Sequence, residues 1–219
     1  MNIKSREELF KYLDVDISWR KKEITHLKNN VVLSSDIEKP FHIKIGVAFL
    51  YAHWQGYISN AGNWYINYIK NRCLKYEELN DNLITLALRS QIKTCWNTTK
   101  IKTHHQLVNT ILNDLSLEAP LPHEKAIDST SNLKYDILED ILFTLGLDAT
   151  PYQLNKNLIN KTLLDTRNKI VHGDQFDLKD LDEKSYLKLH NEVLGMIELF
   201  KSQITSAVET EAYKKNNLA

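Results

Sequence analysis

Glycine and proline are scarce in this chain, 6 and 4 among 219 residues, which leaves little punctuation for the many tight turns of an all-β sandwich or barrel. Helices are the expectation. Cysteine is scarcer still, and Cys73 and Cys95 are too few for a disulfide framework and lack Cys-x-x-Cys spacing, which fits a reducing compartment. Neither sign of charge is in excess, with 28 Lys and Arg against 28 Asp and Glu, so no global field draws the chain to a polyanion or a lipid surface. Any such site must be built locally. Long apolar runs are missing too: the longest, near Val47, is soon broken by His53 and Gln55, and the amino terminus has no apolar signal-peptide core. Neither export nor a membrane span is expected, and the expected compartment is the cytoplasm. At 42% hydrophobic and 26% charged residues, the composition excludes disorder and suits one globular domain over 1–219.

What is present is helical periodicity. Ser5 with Glu7 and Glu8 reads as a helix start, and a second helix is expected from Asp16 to Lys28 with a break at Asn29 and Asn30. From Pro40, Ile43, Val47, Leu50, Trp54 and Tyr57 recur at three- and four-residue steps, while Phe41, Ile45, Phe49 and Ala52 form a neighbouring apolar stripe. A helix so apolar around its circumference belongs at the centre of a bundle, so residues 40–70 are placed there. Further helices are expected at 81–94, 104–114 and 133–146, the last capped by Ser131 or Asn132. Thr150-Pro151 reads as a cap with proline at the first helical position of a helix that stops at Gly173. A long amphipathic helix is expected from Leu181 to Ala212, and Leu117–Thr130 reads as a loop or insertion.

One polar cluster falls at a helix end: Asp165-Thr166-Arg167-Asn168-Lys169-Ile170-Val171-His172-Gly173-Asp174. An arginine followed by a histidine at this spacing is weak by itself, and Arg20 to His26 is a second instance, which reads as a solvated helix face. His172 differs in its place, because unpaired carbonyls and the negative dipole pole at a helix end favour a proton on the ring. Asn168 and His172 share a face, with Arg167 on its flank. The trio suits attack of a ribose 2′-hydroxyl on its own phosphodiester: His172 moves protons, Arg167 stabilises the phosphorane and Asn168 orients either group. No metal is needed. One histidine does not readily serve as base and acid in a single step, so a symmetry-related second copy is attractive. The plainer reading of the same residues is that His172 caps a helix end and Arg167 pairs with Asp165 or a neighbour.

Arg-Asn-x-Ile-x-His-Gly resembles the signature of the HEPN superfamily, an arginine, usually a polar residue after it, and a histidine four to six residues on. Tyr12-Leu13-Asp14 through Ser18-Trp19-Arg20-Lys21-Lys22-Glu23-Ile24, and Leu50-Tyr51-Ala52-His53-Trp54-Gln55-Gly56-Tyr57, resemble blocks of a bacterial HEPN branch found in toxin–antitoxin and phage-defence loci. The resemblance implies an all-α, HEPN-like helical bundle with a helical insertion in the middle third. It also implies a homodimer whose motifs face each other across a cleft and metal-independent RNA cleavage, with Arg167, Asn168 and His172 as the catalytic residues. The chain departs from related patterns at Gln55, where an acid often stands, and at Asp174, where toxins silenced by nucleotidyl transfer carry tyrosine. The alternative function is a catalytically inactive HEPN scaffold, binding a nucleotide or recruiting a partner.

Between Asp81 and Asp114 no acid occurs, whereas Arg89, Lys93, Lys100, Lys102, His104 and His105 do, with Trp96 among them. Such a patch suits RNA, cations tracking phosphates and an exposed Trp96 stacking on an unpaired base; a solvated helix with Trp96 in the core suits the pattern equally. Residues 111–150 carry eight acids against Lys125 and Lys134, and Asp174–Glu183 is acidic as well, a surface for a basic antitoxin or simply for solubility. His104-His105 and His123-Glu124 lack companions at ligand spacing, so no metal or other cofactor is expected.

Overall fold

Ser5 opens the first helix, α1 (Arg6–Leu33), its side chain accepting the Glu8 N–H at 3.1 Å with Glu7 and Glu8 in the first turn. The expected break at Asn29 and Asn30 does not occur. Ile24 and Val31, one heptad apart and both buried, carry the helix across the asparagines, so packing overrides their poor propensity. The computed structural model describes residues 2–122, 126–127, 132–173 and 181–215, and among these the chain is all-α, with two isolated bridge pairs and no strand.

The centre is α2 (Lys39–Lys70), half of whose 32 residues are buried. It packs on α1, on the last helix, α7 (Glu183–Glu209), and on α6 (Thr166–His172). Two glycines let neighbours touch its backbone. A Cβ on Gly46 would stand 2.5 Å from the Tyr186 hydroxyl of α7, and one on Gly56 would stand 2.9 Å from the Arg20 guanidinium of α1. The second apolar stripe is not buried, for Phe41, Phe49 and Ala52 are exposed and Ile45 is half-buried. The centrality of α2 therefore comes from its Leu50, Trp54 and Tyr57 side alone.

Arg20 also differs from its sequence reading. It is only 6% exposed, its Nε donating to Asp16 Oδ2 at 2.7 Å and its Nη1 to the His53 carbonyl at 3.2 Å, with Trp19 stacked 4.5 Å from the guanidinium. Trp19 donates to the same Asp16 carboxylate at 3.0 Å. Both resembling blocks thus meet in one buried polar network between α1 and α2, where a charge is tolerated because it is paired and hydrogen-bonded.

The middle third forms a hairpin of α3 (Asp81–Trp96) and α4 (Ile101–Asn113), the latter starting three residues before its expected start. Tyr76 and Glu77 donate backbone N–H groups to the Leu117 and Leu115 carbonyls, and Asn80 donates to Tyr213 O, which fastens the base of the hairpin. α3 rests on α5 (Tyr135–Leu145). Asn132 does not cap α5 and Ser131 lies outside the described residues; instead Asn160, from a later segment, accepts the Tyr135 N–H at 2.8 Å.

Residues 150–173 depart most from expectation. Ala149, not Thr150, is the N-cap, and Asp148 accepts the Thr150 N–H at 2.9 Å. The chain then runs as a 3₁₀-helix (Thr150–Asn155), a π-helix (Leu158–Asp165) and finally α6. Ile159, Leu163 and Leu164 are buried, so the widened π turns keep three apolar residues on the core just before the polar cluster begins. π turns are rare and recur beside functional sites.

Candidate active site

α6 is short, and each of its ends is held differently. At the start, Leu163 and Leu164 anchor the preceding turn and Ile170 packs against the core from within α6. At the end, Gly173 takes φ 73°, the left-handed conformation, and its N–H returns to the Ile170 carbonyl at 3.2 Å. The helix stops where the sequence places its end.

Arg167 and Asn168 are half-buried and joined, Arg167 Nη1 donating to Asn168 Oδ1 at 2.9 Å. The Arg167 guanidinium carbon also lies 5.1 Å from the centre of the Tyr51 ring of α2. Tyr51 is itself fixed: it is 1% exposed, and its hydroxyl oxygen accepts the Leu133 N–H at 2.7 Å. Burial raises the Tyr51 pKa, against the lowering effects of that hydrogen bond and of Arg167, and so keeps the phenol neutral beneath the cation. The guanidinium is oriented on two sides and retains N–H donors for an oxyanion. Of the partners open to Arg167, Asp165 or a neighbour, the structure pairs it with the neighbour Asn168.

His172, the last residue of α6, is exposed and makes no hydrogen bond or ion pair among the described residues. Asn168 and His172 are one helical turn apart, so the carboxamide and the imidazole border one surface. Within one subunit the structure joins Arg167 to Asn168 and leaves the imidazole open. Asp174 lies outside the described residues, and Gln55 is half-buried on α2.

Other candidate residues stand apart from this group. Arg89, Lys93, Trp96, Lys100 and Lys102 belong to the hairpin, where Trp96 is 89% exposed rather than in the core. His104 is engaged within the hairpin, its Nε2 standing 3.1 Å from Cys95 O and 2.8 Å from Thr98 O. Facing two carbonyl oxygens, that nitrogen carries the proton and ties the two helices at the hairpin turn. No group of three His, Cys, Asp or Glu is arranged to hold a metal among the described residues, and His123 and Glu124 are not among them.

Two features went unread in the sequence. The support of Arg167 by Tyr51 spans 116 positions and has no local signal beyond the fact that Tyr51 lies in a block resembling the family of the motif. The Asp16–Arg20 pair did carry a signal, an acid four residues before a base on a helix that also bears Leu13, Ile17 and Ile24. In comparison with known proteins, residues 9–213 match a family model described as HEPN_MAE_28990-like HEPN. No curated protein and no solved structure matches.

Proposed function

Since the chain belongs to the HEPN_MAE_28990-like HEPN family, we propose that it is a metal-independent endoribonuclease with a composite site shared by two copies. HEPN domains are commonly ribonucleases, and the observation that carries the reading here is the Arg167 group: a guanidinium held by Asn168 and Tyr51, five residues before an exposed His172. The imidazole of one His172 takes the proton of a ribose 2′-hydroxyl as its oxygen attacks the adjacent phosphorus. Arg167 stabilises the pentavalent intermediate, with Asn168 keeping the guanidinium in place. The second copy's His172, protonated, gives its proton to the 5′-oxygen as the P–O5′ bond breaks, leaving a 2′,3′-cyclic phosphate.

The exposed ridge of Phe41, Phe49 and Ala52 supports pairing of two copies, because it lies on α2, the helix whose Tyr51 bears Arg167. The protein acts in the cytoplasm as a toxin or abortive-infection effector, countered or triggered by a partner protein. No described helix is long and apolar enough to cross a membrane.

Purified protein in EDTA with a labelled RNA tests the reading. Cleavage that yields a cyclic phosphate and is lost in Arg167→Ala and His172→Ala is the expected result. Specific activity also falls on dilution below the dimer dissociation constant. Failure to cleave any RNA, with binding retained, returns the chain to the scaffold alternative.

A further inference from the structure

Beyond Asp81 at its start, the hairpin carries charge of one sign only. From Asn82 to Asn113 there is no carboxylate, while Arg89, Lys93, Lys100 and Lys102 are present in a chain whose total charge is zero. All four cations are exposed, and none forms an ion pair among the described residues. Arg89, midway along α3, makes one long hydrogen bond, 3.4 Å to Ala126 O.

Helical geometry sorts the two sides. Arg89, Lys93 and Trp96 are spaced i, i+4, i+7 and share one face of α3. Gln91 and Cys95, on the other side of α3, line a cleft of about 620 Å³ against Thr103 and Leu107 of α4. The basic face of α3 is therefore turned away from α4, and Lys100 and Lys102 follow in the chain just past the turn. Trp96 sits at that turn, which the His104 bonds hold in place. An indole kept 89% exposed at a pinned turn, in a segment whose cations form no ion pair among the described residues, matches in charge a strand of phosphates with accessible bases.

We propose that the α3–α4 hairpin is a substrate-holding arm for single-stranded RNA, its cations on the phosphates and Trp96 stacked on an unpaired base. This rests on the reading of the chain as a ribonuclease and adds where the strand is held away from the Arg167 group. α4 presents a different character, with Ile101, Val108 and Leu112 exposed on its outer side, so a protein or a lipid surface is the competing occupant of the arm.

The test uses the full chain carrying His172→Ala, so that binding is measured without cleavage, and a fluorescently labelled mixed-sequence RNA 12-mer in EDTA. In anisotropy titrations, Lys93→Glu/Lys100→Glu/Lys102→Glu weakens binding at least tenfold at 0.1 M salt. Three lost phosphate contacts also flatten the log–log salt slope by about 2. Trp96→Ala weakens binding at least fivefold and removes a preference for single strands over a duplex of the same length. Lys11→Glu, an exposed cation on α1, has little effect. An unchanged affinity and slope in the triple variant, with circular dichroism intact, overturns the proposal. So does loss of binding to phosphatidylserine vesicles or to a protein partner while RNA affinity stays constant. The two readings fail separately: arm-dependent binding without cleavage by the native chain sinks only the ribonuclease, and cleavage with arm-independent binding sinks only the arm.

Discussion

α2 and α4 are both regular helices, yet half of α2 is buried whereas α4 has no buried residue. The first is specified by removal of apolar surface from water, the second by its attachment to α3 and by backbone bonds at the base of the hairpin. A helix that buries nothing contributes little to stability, so its surface is free to be shaped by something outside the fold. The hairpin that α4 completes carries no acid from Asn82 to Asn113, and an open tryptophan ends α3.

Two tryptophans give the sharpest way to break this comparison. Trp54 in α2 is 0% exposed and Trp96 in α3 is 89% exposed. Trp54→Ala should cost about 3–5 kcal/mol, the range for large core deletions, whereas Trp96→Ala should stay within about 0.5 kcal/mol. Urea midpoints measure both. Equal losses would show that the hairpin belongs to the cooperative core.

Asp16→Ala comes next. It removes one partner of a buried pair, leaving the Arg20 guanidinium uncompensated against Gly56, and should cost about 3 kcal/mol. An exposed pair such as Lys214–Glu211 should lose less than about 1 kcal/mol when broken. If Asp16→Ala unfolds no more easily than Glu211→Ala, the network between the two α-helices is not structural.

Most of α2 and the end of α6 were legible because periodicity and a helix-stopping glycine are local signals, and the three motif residues were legible because a resemblance marked them. The misreadings share a cause. Asn29 and Asn30 looked like a break, Arg20 looked solvated and Phe41 looked buried because each outcome was decided by a neighbouring helix rather than by the residue's own helix. The π turns at Leu158–Asp165 have no local code either, since they follow from what Leu163 and Leu164 pack against. In the hairpin, sequence left Trp96 undecided between core and surface, and only the position of α4 resolves it.

A smaller effect is expected from pH. His53 and His190 are buried, and burial lowers the pKa of both. For His53 it outweighs Glu23 and Asp16, which raise the value, while Arg20 lowers it further; for His190 it outweighs Asn191, with Lys28 adding to the lowering. The unfolded chain therefore binds these protons first. Stability is intact above the unfolded histidine pKa of about 6.5 and falls as pH drops from there through the folded values. Thermal melts between pH 7.5 and 5 check the direction, and His190→Gln should flatten the curve. A melting temperature that rises on acidification contradicts it.

The smallest change tests where core and site join. Tyr51→Phe keeps the ring under Arg167 but leaves the Leu133 N–H without its acceptor, a loss of about 1 kcal/mol in stability with RNA cleavage retained. Tyr51→Leu deletes the same hydroxyl and also the π face, so the guanidinium keeps only Asn168 as an orienting contact. Cleavage should then fall well below that of Tyr51→Phe at comparable stability. If both variants cleave alike, the ring does not position the guanidinium, and the link from the buried side of α2 to the reacting phosphate is broken at that residue.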